Sequence, residues 1–187
     1  MCFENFDFGV IMSWSGKVAE GCCKRYGLIS EQQHGFLSKR STVTNLLSGH
    51  NDWTSTISNH NTVAIAYIDF MKAFDSFCHT KLFLRLSSLG ITGNLLLLAW
   101  IKNFSTDRQQ CTWVGDKVSD TVKILSGVIQ GSCLGPVLFV FYINSITKVL
   151  PNSVTYLLFA DDVKIYTVIK SDIDNVNLQI ALDRITD

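Results

Sequence analysis

Three aspartates are the residues of this sequence best suited to chemistry. Asp161 and Asp162 are adjacent, and apolar and aromatic residues flank them on both sides within residues 156–166. Such flanks predict two short strands joined by a tight acidic turn. Two carboxylates near 4 Å apart repel by about 4 kcal/mol at an effective dielectric constant near 20, so the pair must be solvated or stabilised by a cation, of which a divalent metal is the natural choice. Asp69 ends a second apolar, β-branched run, residues 63–68. The pattern therefore predicts that two strand ends deliver their carboxylates to one shared site.

Carboxylates from separate strand ends suit two-metal phosphoryl transfer. Two Mg²⁺ ions about 3.5–4 Å apart lower the pKa of an attacking hydroxyl and neutralise charge on a leaving pyrophosphate. Mg²⁺ prefers hard oxygen ligands and keeps substrate phosphates in its octahedron, so Asp69, Asp161 and Asp162 would suffice. The six cysteines and four histidines are scattered without zinc-ligand spacing, which disfavours a zinc site.

Length and composition indicate a globular chain with one sizeable core. The chain has 187 residues, 47% of them hydrophobic, and a net charge of zero. No apolar run approaches the roughly 20 residues that a membrane helix needs, so no membrane association is expected. Glu4 and Asp7 stand where a targeting peptide would be basic, which predicts a cytosolic or nuclear protein.

The order of elements predicts an α+β fold. Helical spacing indicates helices over residues 15–26, 80–89, 137–149 and 173–185, and a further helix is expected to start at the Thr92 cap and run through residues 95–104. Alternation over residues 109–126 predicts a hairpin, and the polar stretch 48–61 predicts a helix end, a loop and a boundary. We expect a mainly antiparallel sheet with helices packed on one face, which would leave the other face free to carry a site.

Four sequence blocks in a fixed order resemble the reverse transcriptase of non-LTR (LINE-type) retrotransposons. The blocks are Gln33-His-Gly-Phe-Leu-Ser-Lys-Arg-Ser41, Tyr67-Ile-Asp-Phe-Met-Lys-Ala-Phe-Asp75, Ser126-Gly-Val-Ile-Gln-Gly-Ser-Cys-Leu-Gly-Pro-Val-Leu-Phe139 and Phe159-Ala-Asp-Asp162. The resemblance implies a right-hand polymerase palm with a partial fingers segment. Residues 1–60 would form the fingers segment and residues 61–187 the palm.

The resemblance also implies roles for individual residues around the aspartates. Asp69 and Asp161 would be the principal ligands of two Mg²⁺ ions, or of Mn²⁺ in their place, and Asp162 would be the third carboxylate. The backbone carbonyl of Phe70 would also face a metal. Phe74 would lie under the sugar of the incoming nucleotide, where its bulk would exclude a 2′-hydroxyl and so select deoxynucleotides.

Further residues match family positions that contact the nucleotide. Gln130 and Gly131 would shape the pocket around the incoming nucleotide and the template base, and a glycine lets backbone approach a ligand closely. Arg40, with Lys39 beside it, would meet the triphosphate. Asp75 belongs to the second block, but we expect it to make a structural pairing.

The sequence departs from the family at several points. Leu37 replaces an arginine expected to contact the triphosphate, and Ile129 replaces a proline just before the pocket glutamine, so its φ is less restricted. The family continues beyond the position of Asp187 into a primer grip and a thumb. From this we expect a partial copy of an element with weak or no processive synthesis, because affinity for a duplex comes from many phosphate contacts.

Three functions follow, in order of preference. The first is an RNA-directed DNA polymerase whose partners are an RNA template, a DNA primer and deoxynucleoside triphosphates. The second is a catalytically inactive retrotransposon-derived remnant that folds as a palm and at most binds nucleic acid. The third is another nucleotidyl transferase or cyclase on a similar palm, against which Gln130 and the Gln33 block argue. Nothing in the sequence indicates an oligomeric state.

Overall fold

A computed structural model of the chain describes residues 27–89, 95–132 and 134–186. The helices are α1 (Thr42–Ser58), α2 (Ala73–Ser76), α3 (His79–Ser88), α4 (Leu95–Ser105), α5 (Leu134–Ile143) and α6 (Asp172–Thr186), with a 3₁₀ helix at Asn144–Lys148. The strands are β1 (Thr62–Ile68), β2 (Arg108–Gln110), β3 (Trp113–Val114), β4 (Lys117–Val118), β5 (Val122–Ile124), β6 (Thr155–Phe159) and β7 (Asp162–Ile169). These elements confirm an α+β fold. The helix predicted over residues 15–26 and the helix start predicted at Thr92 lie outside the described residues.

The described chain divides into two compact units. The sheet unit comprises residues 27–70 and 143–186, and the second unit comprises residues 71–142. In the part of the chain described, no helix is long and apolar enough to cross a membrane. The predicted division into fingers (1–60) and palm (61–187) stays a prediction.

A three-stranded antiparallel sheet is the framework of the sheet unit. Its strand order is β1-β7-β6, so β7 is central and pairs with both neighbours. Along β1 and β7 the register runs from Thr62 opposite Ile169 to Ile68 opposite Val163. β-branched and aromatic residues fill these strands, as suits a pleated, half-buried surface.

Helices cover both faces of this sheet, so the expectation of one free face was wrong. Lys164 and Tyr166 alternate with Val163 and Ile165 along β7, and the two sets therefore point to opposite faces. Helix α1 packs on the face of Lys164 and Tyr166 through Asn45 and Trp53. On the opposite face, Val163 and Ile165 belong to a buried cluster that includes Ala181 of α6. Each face is apolar enough to need a helix, which the alternation within single strands did not reveal.

Helix α1 runs through the polar stretch for which a helix end and a loop were expected. Ser41 starts the helix with a capping box, in which its side chain accepts from the Thr44 backbone N–H and the Thr44 hydroxyl accepts from the Ser41 N–H. Gly49 lies against Leu157, and Trp53 meets Tyr166 edge to face at 5.7 Å between ring centroids. Capping and packing on the sheet thus outweigh the low helix propensity of the Ser, Thr and Asn residues.

The second unit contains α2 to α4 and two small strand pairs. β2 pairs with β5 and β3 with β4, so the predicted hairpin over residues 109–126 forms as two successive ladders. The backbone carbonyl of Gly127 accepts hydrogen bonds from His79 (2.7 Å) and Arg108 (3.1 Å). Phe77 and Phe139 are both buried, and their rings contact each other edge to face.

The helix predicted over residues 137–149 is shorter and starts earlier. Helix α5 begins at Leu134 and ends at Ile143, after which the chain tightens into the 3₁₀ helix. Pro136 falls in the first turn of α5, where its missing N–H costs no helical hydrogen bond. The prediction placed this proline in a break, but its position is compatible with a helix start.

The buried hydroxyl of Tyr166 provides a pH-dependent test of the contact between α1 and the sheet. The hydroxyl donates a hydrogen bond to the Asp52 carboxylate. Burial, followed by the hydrogen bond and charge of Asp52, raises the pKa of Tyr166 above its ordinary value. The folded state therefore keeps this proton at a pH where the unfolded chain has lost it. We expect the free energy of unfolding to fall as pH rises above about 10.

Urea unfolding between pH 8 and 11 measures this effect. Tyr166→Phe removes the tyrosine's share of the alkaline slope and costs about 1 kcal/mol below pH 9. Asp52→Asn keeps an acceptor but removes the charge, so its slope should be intermediate. An alkaline slope in Tyr166→Phe equal to that of the wild type would contradict the assignment.

Candidate active site

The acidic pair lies at the tip of the β6–β7 hairpin. Phe159 pairs with Asp162, so the two-residue connection consists of Ala160 and Asp161. The hairpin confirms the strand–turn–strand prediction, but only Asp161 lies in the turn, while Asp162 is the first residue of β7. Ala160 adopts a left-handed φ of 54°. The two adjacent carboxylates therefore occupy different structural positions.

Asp69 and Asp162 line one pocket on the α1 face of the sheet. Asp69 directly follows β1, and continuing the Ile68–Val163 register by one residue places it across from Asp162. Both residues are exposed, and both line a pocket of about 340 Å³. Tyr67, on β1, is also part of the lining. The structure thus brings two of the three predicted aspartates together, while Asp161 does not line this pocket.

A lysine and an asparagine complete the polar lining of the pocket. Lys164 lies two residues beyond Asp162 on the same face of β7. Its ammonium donates a 2.9 Å hydrogen bond to the side-chain oxygen of Asn45. Asn45 is 2% exposed, and its amide nitrogen donates to the backbone carbonyl of Leu158 at 3.1 Å. Helix α1 therefore holds a cation beside the two carboxylates.

Basic groups precede α1 in the same unit. One guanidinium nitrogen of Arg40 donates to the backbone carbonyls of Gln33, at 2.8 Å, and Glu31. Burial, with smaller effects from the charges of Arg40 and Lys164, lowers the pKa of His34. Lys39 is exposed and has a positive φ of 58°. Arg40 thus anchors its own segment, and its contact with a triphosphate stays a prediction.

The donors of the pocket suit a hard divalent cation. Mg²⁺ is commonly held by one or two carboxylates together with substrate phosphates, and Asp69 and Asp162 offer two carboxylates in one pocket. Among the described residues, no three His, Cys, Asp or Glu side chains are grouped so that they could hold a metal ion. The carboxylate pair therefore fits Mg²⁺ in chemical type, with phosphate oxygens required to complete its coordination.

Three of the predicted nucleotide contacts, Phe74, Gln130 and Gly131, belong to the second unit. Phe74 stacks on Phe139 with centroids 4.1 Å apart and ring planes at 19°. Gln130 donates a 2.7 Å hydrogen bond to the Asp75 carboxylate, so Asp75 makes a side-chain pairing as expected. Gly131 has a φ of 81°, a region that favours glycine, and a Cβ there would meet no atom within 4 Å.

Phe70 follows Asp69 in the sheet unit. Its side chain is half-buried and packs against the cluster of Val163 and Ile165. The role of its carbonyl toward a metal, and the roles of Phe74, Gln130 and Gly131 toward a nucleotide, stay predictions.

Sequence reasoning missed three residues of this region. Asn45 and Lys164 gave no signal, because an isolated asparagine in a helix and a lysine in a strand usually face solvent. Gln33 was read only as part of a block, yet it is completely buried. A glutamine two residues before Gly35, in a block that also contains the nucleotide-binding candidates Lys39 and Arg40, was the only available hint.

Comparison with known proteins identifies a matching family and a similar fold. Residues 10–187 match the family model described as reverse transcriptase (RNA-dependent DNA polymerase). No curated protein matches the chain at a significant level. A solved structure of apo telomerase from Candida tropicalis, truncated from its C-terminal domain, is similar with a TM-score of 0.67 and 13% sequence identity. The similarity covers 96% of this chain and 36% of that chain, so this chain spans about a third of the telomerase chain.

The two comparisons support statements of different strength. At 13% identity the telomerase structure shows a shared fold alone. The family match covers nearly the whole sequence, including every predicted site residue. The chain therefore belongs to the reverse transcriptase (RNA-dependent DNA polymerase) family.

Proposed function

We propose that this chain is the catalytic portion of an RNA-directed DNA polymerase from a non-LTR retrotransposon. It would add deoxynucleoside monophosphates to a primer 3′-hydroxyl opposite an RNA template. The observation that carries the proposal is that Asp69 and Asp162, from two neighbouring strands, line one pocket in a chain of this family. The non-LTR origin is supported by the order and content of the four sequence blocks.

The proposed reaction forms one bond and breaks another at the same phosphorus. The primer 3′-oxygen bonds to the α-phosphorus of the nucleotide, the bond from that phosphorus to its bridging oxygen breaks, and pyrophosphate leaves. The proton of the 3′-hydroxyl passes to solvent. Asp69, Asp161 and Asp162 would hold two Mg²⁺ ions, which when bound favour the alkoxide and offset charge on the pyrophosphate.

The chain's own side chains would supply binding and orientation around this centre. Asp69 and Asp162 approach from opposite strands, so a rigid ladder sets their separation. Lys164 adds a positive charge to the same pocket, where its link to Asn45 restricts its position. A fixed cation close to a phosphate lowers the entropy lost on binding.

Primer extension tests the proposal. The purified chain is incubated with a labelled DNA primer on an RNA template, four deoxynucleoside triphosphates and Mg²⁺, and products are resolved by length. Primers lengthened by one or more nucleotides, only when Mg²⁺ is present, are expected. A folded protein that binds the primer–template by fluorescence anisotropy but never extends it would favour the inactive-remnant alternative.

Phe74 provides a test of sugar selection within the proposed function. Its ring is held in one orientation by the stack on Phe139, so it could act as a rigid barrier to a 2′-hydroxyl. Phe74→Val shortens this barrier and should raise the incorporation of ribonucleotides relative to deoxynucleotides by roughly 10- to 100-fold. The measurement is the ratio of kcat/KM values for one ribonucleotide and its deoxy counterpart.

A matched control separates this effect from a general loss of packing. Phe83 is also a half-buried phenylalanine, on α3, and contacts the His79 ring. Phe83→Val should leave the sugar ratio unchanged. An unchanged ratio in an active Phe74→Val protein would make Phe74 a packing residue only.

A further inference from the structure

The turn that presents Asp161 contains a backbone conformation that needs support. Ala160 has a φ of 54°, in the left-handed region that residues with a Cβ adopt reluctantly. Ala160 is 5% exposed, so water has little access to its peptide groups. Its N–H and C=O therefore require partners within the protein.

One side chain satisfies both backbone groups of Ala160. The side-chain oxygen of Gln33 accepts from the Ala160 N–H at 2.9 Å, and the Gln33 amide nitrogen contacts the Ala160 carbonyl at 3.4 Å. The same oxygen also accepts from the Gly35 N–H at 2.7 Å. Gln33 is 0% exposed, so these bonds are shielded from competition with water.

The segment that carries Gln33 is itself fixed on the hairpin. Backbone hydrogen bonds join His34 N–H to the Leu158 carbonyl at 2.8 Å and Leu158 N–H to the Gln32 carbonyl at 3.0 Å. Arg40 donates a 2.8 Å hydrogen bond to the backbone carbonyl of Gln33. The backbone of Gln33 is therefore fixed on the hairpin, while its side chain forms hydrogen bonds with the turn.

We propose that Gln33 is a positioning residue for Asp161. Gln33 does not line the pocket that contains Asp69 and Asp162. It acts through the peptide group that links Ala160 to Asp161. The inference rests on the proposed function, because it assigns Asp161 a role in the reaction. Partners that orient metal ligands typically change metal affinity or activity by about 10- to 100-fold when they are removed.

Two substitutions at Gln33 and one beside it test this role. Gln33→Met keeps the length and removes all three contacts. Gln33→Glu keeps an oxygen acceptor for the two N–H groups and removes the donor to the Ala160 carbonyl. Gln32→Met is the matched control, since the Gln32 side chain is half-buried on the neighbouring position and makes none of these contacts.

Two readouts are needed, and both are taken at a temperature where circular dichroism shows the variants to be folded. In primer extension, the Mg²⁺ concentration for half-maximal rate should rise roughly 10- to 100-fold in Gln33→Met, with an intermediate rise in Gln33→Glu and none in Gln32→Met. The KM for the nucleotide should change by less than about twofold, because Gln33 acts on the metal ligand. The amide hydrogen exchange rate at Ala160 should rise most in Gln33→Met, less in Gln33→Glu and not at all in Gln32→Met.

The outcomes distinguish this inference from the proposed function. A folded Gln33→Met protein with wild-type Mg²⁺ dependence and kcat would overturn the positioning role. If the wild type extends no primer, the proposed function fails and the role of Gln33 in catalysis fails with it, whereas the exchange rate at Ala160 still reports whether the side chain holds the turn. If Gln33→Met does not fold, Gln33→Glu decides, and wild-type Mg²⁺ dependence together with wild-type exchange in that variant overturns the inference.

Discussion

Asp161→Asn is expected to lower the rate of primer extension by about a thousandfold, or ~4 kcal/mol of transition-state stabilisation. Asparagine has the size of aspartate and retains one oxygen, so the hairpin should fold unchanged. It lacks the negative charge of a carboxylate, so it would bind Mg²⁺ much more weakly. The kcat of extension at saturating Mg²⁺ and nucleotide, with circular dichroism to confirm folding, measures the effect.

Two comparisons sharpen this prediction. Asp116→Asn alters an exposed aspartate in the second unit, next to Gly115, and should leave kcat unchanged. Asp162→Asn should reduce kcat less than Asp161→Asn, because the family resemblance makes Asp161 a principal ligand. The reverse order would mean that the pocket pair, Asp69 and Asp162, performs the chemistry and that Asp161 belongs to the turn alone.

Gly35→Ala is expected to destabilise the fold by about 3 kcal/mol or more. A Cβ at Gly35 would lie 2.2 Å from the backbone nitrogen of Ala160 and 2.8 Å from its Cα. Both atoms are backbone, so no flexible side chain can move aside. The segment that carries Gly35 or the hairpin turn would have to shift, with loss of the contacts around Gln33. Urea unfolding measures the free energy, and the residual folded protein should also lose extension activity.

Gly115→Ala is the matched control for this substitution. Gly115 has a φ of 59°, and a Cβ there would meet no atom within 4 Å. The cost should be about 1–2 kcal/mol, from the left-handed conformation alone. Equal losses at the two positions would show that the approach to Ala160 can relax, and the steric argument for Gly35 would be wrong.

Local patterns predicted the hairpin and the first strand well. The apolar flanks of the acidic pair and the β-branched run before Asp69 are strong signals, because a two-residue connection and a period of two leave few alternatives. These patterns did not show where each aspartate lies relative to the strand ends. Whether Asp162 lies in the turn or in β7 depends on the register, which neighbouring strands determine.

Local patterns could not predict that helix α1 covers the sheet or that Gln33 supports the turn. Helix α1 is rich in Ser, Thr and Asn, and its stability depends on contacts that Gly49 and Trp53 make with the sheet. Gln33 acquires its role from Ala160, a residue distant in the chain. Helix propensity is a local quantity, so neither helix α1 nor the hydrogen bonds between Gln33 and the turn could be deduced from it.

The division of the sheet unit between two chain segments has a consequence for biosynthesis. Strand β1 emerges from the ribosome before residues 71–142, and its partner β7 follows only after that entire unit. Until then β1 has an unpaired edge, a state that invites aggregation. Until β7 has been synthesised, the carboxylate of Asp69 also lacks its pocket neighbour Asp162. Folding of this chain should therefore be limited by a late, long-range closure that completes the sheet and the acidic pocket in the same step.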